Sequence, residues 1–355
     1  MKINLKKFRE LEKQKLLTCQ KHEVCDLLIW NYSHRAQFEK NWTPELRMAR
    51  GLITDLEGNI VQRPFEKFFN WEEHTGEDSK LDPIPNEKFK VFSKLDGSLG
   101  ILYWMNDEPY LATRGSFVSD QAMTGSVILR RYDWSKINKK YTYLFEIIYP
   151  ENRIVIDYGG AKAIILLAVI DTDTGKTLDT KENCADFPYV QEVPVEGKSI
   201  TDLKNDQKDN QEGYVLLFES GVRVKVKFDE YIRLHRLITG VNAKTIWDLM
   251  RNNQPFEELM QRVPDEFYDW VQKTRKDLDD EYNFAEAVAY QDLEKVKKLK
   301  TRKAQAKAIF RMDSKREKKL SGIIFKMLDN QDYSKQIWGM LKPKADKPFK
   351  EDIDS

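Results

Sequence analysis

Residues 89–104 read Phe-Lys-Val-Phe-Ser-Lys-Leu-Asp-Gly-Ser-Leu-Gly-Ile-Leu-Tyr-Trp. The apolar and aromatic runs Phe89 to Ser93 and Leu99 to Trp104 suit strands, and Asp96-Gly97 between them is a favoured hairpin turn. The stretch therefore predicts two strands that turn at a sheet edge and present Lys94, Leu95, Asp96, Gly97 and Ser98 there. The same texture continues on both sides. Arg50 to Asp55, a turn at Glu57-Gly58-Asn59 and Ile60 to Arg63 predict another hairpin, and Tyr141 to Tyr149 reads as a buried strand. Ala163 to Ile170 predicts a strand that turns at Asp171-Thr172-Asp173-Thr174-Gly175. Short strands joined by tight turns imply an α+β fold in which antiparallel hairpins dominate.

A lysine displayed on such a turn is a candidate nucleophile toward phosphorus. Its amine must be neutral to attack, whereas a reference pKa of about 10.4 leaves only about one molecule in a few thousand neutral at pH 7. Nearby cations or a metal ion depress that pKa and also stabilise charge developing on a phosphate. The hypothesis thus requires further basic residues, carboxylates for a metal, and strands to hold them.

Such residues occur downstream. Glu146 is the only ionisable carboxylate in Tyr141 to Tyr149, and burying a lone carboxylate costs several kcal/mol unless it is paired or ligated. Glu212-Gly213 opens the apolar run Tyr214 to Phe218, and Gly221 to Phe228 follows. Alternation with period two puts Arg223, Lys225 and Lys227 on one strand face and Val222, Val224, Val226 and Phe228 on the other. Alone, three cations on one face read as a solvated surface. Joined by a hairpin to Glu212, they form a plausible phosphate clamp beside a metal ligand.

The collinear order Lys-x-Asp-Gly (Lys94), Phe-Glu (Glu146), Glu-Gly (Glu212) and Val-Lys-Val-Lys (Lys225, Lys227) resembles the covalent nucleotidyltransferase superfamily. Within it the chain is most similar to ATP-dependent RNA ligases of the T4 RNA ligase 1 type. Arg50-Gly51-Leu52-Ile53 resembles that group's Arg-Gly strand, and Pro64 to Asn70 its Glu-Lys-Phe-Phe-Asn segment. Thr113-Arg114-Gly115-Ser116 resembles the next motif, with Arg114 where the phage enzyme has Lys, and Asn152-Arg153-Ile154-Val155 follows Phe145-Glu146. The resemblance spans roughly residues 25 to 235. DNA ligases usually have Arg where this chain has Leu99, two residues after Gly97.

The resemblance implies three nucleotidyl transfers with ATP and Mg²⁺ as cofactors, Mn²⁺ being able to substitute. Lys94 would attack the ATP α-phosphate, AMP would pass to a 5′-phosphate RNA end, and a 3′-hydroxyl end would displace it. Lys225 and Lys227 would contact the α-phosphate, while Arg50, Lys67 and Arg114 would contact ATP phosphates or ribose. Glu146 would hold the ribose or the metal's water shell, Glu212 would help hold the metal, and Asp96 would support the later transfers. The implied partner is RNA, with nicked tRNA and a separate end-healing kinase or phosphatase as further expectations. A GTP-using capping enzyme or a DNA ligase shares the lysine motif, and an inactive RNA-end binding protein is a third reading. The first two normally carry a C-terminal five-stranded barrel.

Past Gly240 the texture becomes helical. Ile246, Leu249 and Met250, then Phe267, Trp270 and Val271, then Phe284, Ala285 and Val288 recur with helical period, punctuated by Pro255 and Pro264. The expected organisation is a nucleotidyltransferase domain over 1–240, a helical RNA-specificity domain over 241–341 and a disordered tail over 342–355. Lys295 to Lys319 holds twelve Lys or Arg against two Asp or Glu, a surplus of +10 in a chain whose net charge is only +1. Such a run suits polynucleotide binding or a merely solvated helix face.

Composition bounds the rest. The 355 residues suffice for two domains, and no run of about 18 apolar residues appears, so no membrane partner is expected. Only Cys19, Cys25 and Cys184 occur, too few for a disulfide framework, which points to a reducing, cytoplasmic setting. Cys19, His22 and Cys25 lack a fourth zinc ligand. Gly175-Lys176-Thr177 mimics the end of a P-loop, but Ile170 replaces the required earlier glycine.

Overall fold

The computed structural model describes residues 1–76, 79–195, 197–239, 242–256, 259, 268–313 and 320–343. The chain forms two compact units, Met1–Ile238 and a second from Thr239 onward. The strands of the first, in chain order, are β1 (Leu17–Lys21), β2 (Leu27–Tyr32), β3 (Arg50–Asp55), β4 (Ile60–Gln62), β5 (Phe69–Asn70), β6 (Phe89–Lys94) and β7 (Ser98–Met105). Then come β8 (Glu108–Ala112), β9 (Tyr141–Ile148), β10 (Ala163–Asp171), β11 (Thr177–Leu178), β12 (Gly213–Phe218) and β13 (Arg223–Lys227). They make three sheets with the orders β1-β2-β3-β4, β11-β10-β9-β7-β8 and β5-β13-β12-β6. Every pairing is antiparallel except β13 with β5. This is the α+β class the strand texture implies.

The lysine stretch is not a hairpin. β6 pairs with β12 in one sheet, while β7 pairs with β8 and β9 in another, so residues 95–97 carry the chain from sheet to sheet. Asp-Gly allows a sharp change of direction but says nothing about which strand satisfies the next hydrogen bonds. Gly97 is required for close approach: a Cβ there would lie 2.5 Å from the Ile147 carbonyl and 3.2 Å from Glu146 Cγ. Packing against β9, not pairing with β6, sets the geometry of this crossing.

The cationic strand face differs from a solvated one. Val224 and Val226 are fully buried, as the alternation requires, but Lys225 and Lys227 on the other face are also only 8% exposed. Both faces of β13 are covered, and the second covers a site.

Among the described residues the second unit is helical, with helices Ala243–Arg251, Tyr268–Lys297, Arg302–Asp313, Ser321–Leu328 and Ser334–Met340. Ile246 and Trp247 are buried on the first, and the Trp247 indole donates to the Trp338 carbonyl at 2.8 Å. Val271, Ala285 and Ala289 form the inward stripe of the long helix. Phe284, expected in that stripe, is instead 72% exposed, because Ala285 and Ala289 take the facing positions one residue on. Phe267, Pro264, residues 314–319 of the basic run and residues 344–355 of the tail lie outside the described residues. No described helix is long and apolar enough to cross a membrane.

Candidate active site

Strand register converges on Lys94. Gly213 pairs with Lys94 on one side and with Lys227 on the other, so β12 places Glu212 between two lysines. The chain turns tightly here: Gly213 has φ +142°, and a Cβ would sit 2.1 Å from the Val226 carbonyl oxygen. Lys94 Nζ donates to Glu212 Oε2 at 2.8 Å, and Lys227 Nζ lies 2.9 Å from Oε1. Glu212 is 2% exposed. Burial alone would push its carboxyl up, but the ammonium groups of Lys227 and Lys94 outweigh it and hold the group below the ordinary carboxylate range.

The second sheet supplies Glu146, which pairs with Leu99 of β7 and Ile165 of β10. Glu146 is part-buried, and desolvation pushes its carboxyl up to about 7 against the pull of Lys94, with Glu212 and Asp96 adding to the rise. Unlike Glu212, Glu146 makes no side-chain hydrogen bond or ion pair among the described residues. A carboxyl so placed is completed by something that arrives: a cation, or a hydroxyl that donates to it.

Asp96 is differently employed. Its Oδ2 accepts from the Val155 and Ile156 amides at 2.8 and 2.9 Å, and its Oδ1 accepts from the Tyr231 hydroxyl at 2.8 Å. The Asp96 amide donates to the Tyr158 hydroxyl at 2.8 Å, and Ser98 Oγ donates to Asn152 at 3.1 Å. The crossing that carries Lys94 is thus tied at several points to the segment after β9.

Cations gather beside this centre. The guanidinium of Arg50 sits 5.5 Å from the Phe68 ring centroid, and the Lys225 amine sits 5.7 Å from the same centroid. Arg223 lies 4.4 Å over Phe65 and donates to Thr177 at 2.6 Å, and burial followed by the nearby Arg50 lowers its pKa to about 10. Lys67 lies over Tyr32, Trp42 and Phe69, while Arg114 donates to the Tyr32 hydroxyl at 3.0 Å. A Cβ on Gly51 would come within 3.2 Å of the Arg114 backbone, so Arg50 and Arg114 neighbour each other. The structure therefore brings all nine sequence-selected residues to the β6–β7 crossing or to the aromatic shelf beside it.

Tyr158, Tyr231, Tyr32 and Asn152 are parts of this arrangement that sequence reasoning missed. Only Asn152 lay inside a quoted motif; the tyrosines sit in unremarkable contexts with no local signal.

The order of these parts along the chain can be set against known proteins. Residues 48–232, just over half the chain, match the RNA ligase family. This chain belongs to the RNA ligase family. A candidate RNA ligase from Thermovibrio ammonificans is 30% identical to this family member over 273 residues, 72% of this chain and 70% of that one. An RNA ligase from Rhodothermus phage RM378 is 25% identical over 306 residues, covering 64% and 68%. A candidate bifunctional polynucleotide kinase/RNA ligase of Autographa californica nuclear polyhedrosis virus is 27% identical over 243 residues, and the match spans 34% of its length. Among solved structures, an archaeal ATP-dependent RNA ligase aligns over 93% of this chain and 97% of its own at 13% identity and TM-score 0.48.

Proposed function

We propose that this family member joins 5′-phosphate and 3′-hydroxyl RNA ends with ATP, through a lysyl-AMP on Lys94 and an adenylylated RNA end. The observation that carries this reading is the Lys94–Glu212–Lys227 relay set beside the uncommitted carboxyl of Glu146. In the first transfer the Lys94 ammonium gives up a proton to solvent, its Nζ bonds to the α-phosphorus, and the bond to the pyrophosphate oxygen breaks, releasing pyrophosphate. Glu212 holds Nζ in place beforehand and, through Lys227, keeps a second ammonium at the same phosphate. Lys227 and Lys225 stabilise the charge that grows on the phosphoryl oxygens. Arg50, Lys67 and Arg114 hold the rest of the triphosphate and the ribose. Asp96, its oxygens committed to Val155, Ile156 and Tyr231, keeps the crossing rigid through all three transfers.

A divalent metal fits the site in a limited form. Among the described residues no three His, Cys, Asp or Glu side chains group as a metal cage. Glu146 offers an uncommitted carboxyl, and Glu212 offers a second when Lys94 is drawn onto phosphorus. Mg²⁺ is commonly held in this way by one or two carboxylates plus substrate phosphates and water, and Mn²⁺ would substitute. When bound it would neutralise charge at the phosphate under attack.

We propose a reducing, cytoplasmic setting, because three cysteines are too few for a disulfide framework. Because one viral relative is named for both kinase and ligase activities, we propose that a separate end-healing activity supplies the 5′-phosphate, with nicked tRNA as one candidate substrate. The helical character of the described residues after Thr239 favours this reading over a capping enzyme or DNA ligase with a C-terminal barrel. Incubation with α-labelled ATP or GTP tests the proposal: acid-resistant label from ATP, absent in Lys94→Ala, supports it, whereas label only from GTP overturns it.

A further inference from the structure

The Arg302–Asp313 helix carries a face that the ligation chemistry does not use. At 100° per residue, Lys303, Lys307 and Phe310 fall within one quarter-turn sector, and all three are exposed. Ile309 and Asp313 point the other way and are buried. Asp313 is the only acid in the helix, and it is spent inside, accepting from the Leu320 and Ser321 amides at 2.7 and 3.0 Å. Arg302 is likewise spent, bridging both Asp329 oxygens at 2.7 Å. By contrast Lys298, Lys300, Lys303 and Lys307 have no ion pair among the described residues. Among the described residues, these four lysines of the segment are therefore left to solvent rather than cancelled.

Phe310 marks that face as more than a solvated one. Its side chain is 59% exposed, yet its ring is braced 5.7 Å from Phe325, which in turn lies under the Arg302 guanidinium at 5.4 Å. An aromatic ring held in place and flanked by Lys303 and Lys307 is the arrangement by which single-stranded nucleic acid is bound without sequence preference: the ring stacks a base while the cations follow the backbone. A membrane-surface helix would need an apolar stripe, and Phe310 is the only large apolar side chain exposed on this one. We infer that this face, Lys303, Lys307 and Phe310 with Lys298 and Lys300 at its edge, docks single-stranded RNA. The inference rests on the RNA-ligase reading for its choice of polyanion.

The test uses the full chain and a fluorescent 5′-phosphorylated single-stranded RNA, with binding measured across a KCl series. Each phosphate contact removed takes about 0.7 from the slope of log K against log salt, so K300Q/K303Q/K307Q should flatten it by about 2. Phe310→Ala should weaken binding about tenfold while leaving the slope alone. Adenylylation of Lys94 from ATP should match the parent in both. Arginine at the three lysine positions should restore the slope. Should the triple variant be poorly folded, K303Q/K307Q carries the same test with an expected flattening of about 1.4. A parental slope in the glutamine variants overturns the inference, as does a loss seen only with anionic vesicles or an acidic peptide. Failure of the parent to label with ATP would instead sink the ligase reading and leave this result readable on its own.

Discussion

Replacing Glu146 by glutamine should make the protein more stable and inactive at once, with the gain in stability depending on pH. The side chain keeps its shape and loses its charge. In the folded state burial raises this carboxyl to about 7, from about 4.5 when unfolded. Below the unfolded value both states hold the proton and the ionised form imposes no penalty. Between the two values the folded state binds more protons than the unfolded one, so stability falls as pH rises, and the full penalty is present above about 7. A shift of about 2.5 units at about 1.4 kcal/mol each gives a penalty of roughly 3 kcal/mol at pH 8 and about 1 kcal/mol at pH 5. Glu146→Gln should therefore be stabilised relative to the parent by about 2 kcal/mol more at pH 8 than at pH 5. Urea unfolding of parent and variant at the two pH values reads this difference, and labelling with α-labelled ATP reads the activity, which should fall at least a hundredfold. An equal effect on stability at both pH values would refute the reasoning, since it would mean Glu146 is not held protonated by its surroundings.

Other expectations follow from the same geometry. Lys94→Ala and Lys94→Arg should both take no label from ATP, the second because a guanidinium stays protonated; label on either at near-parental level would mean another residue is the nucleophile. Lys227→Ala and Lys225→Ala should each lower the rate of adenylylation by 10² or more, about 3 kcal/mol in the transition state, and small equal losses measured in single-turnover kinetics would return these lysines to a packing role. Asp96→Ala removes the acceptor of three hydrogen bonds and should cost about 3 kcal/mol in urea unfolding, beyond any effect on labelling. Gly97→Ala forces a Cβ against the Ile147 carbonyl and should cost about 1 to 3 kcal/mol, so a Tm equal to the parent's would show that the crossing is more pliant than it looks.

Sequence alone picked out the residues that gather at the β6–β7 crossing, and the class of fold. Apolar runs placed β9, β10 and β12, and alternation placed β13, close to their observed bounds, and the odd carboxylate in an apolar strand pointed to Glu146, because burying a charge is costly enough to be visible in a single chain. The collinear motifs gathered Lys94, Glu212, Lys225 and Lys227 before any distance was known. What the sequence left open was how strands combine. Asp96-Gly97 looks the same whether it closes a hairpin or carries the chain between sheets, since turn chemistry is local whereas strand pairing is settled by partners far along the chain, here β12 for β6 and β9 for β7. For the same reason the sequence could only weigh a phosphate clamp against a solvated face for the lysines of β13, whose burial beside Phe68 and Glu212 the tertiary structure supplies, and it gave no sign of the hydrogen bonds from Val155, Ile156 and Tyr231 to Asp96. Burial, which raises the carboxyl of Glu146, and the neighbouring lysines, which lower that of Glu212, are properties of what packs around a residue, and only the tertiary structure decides them.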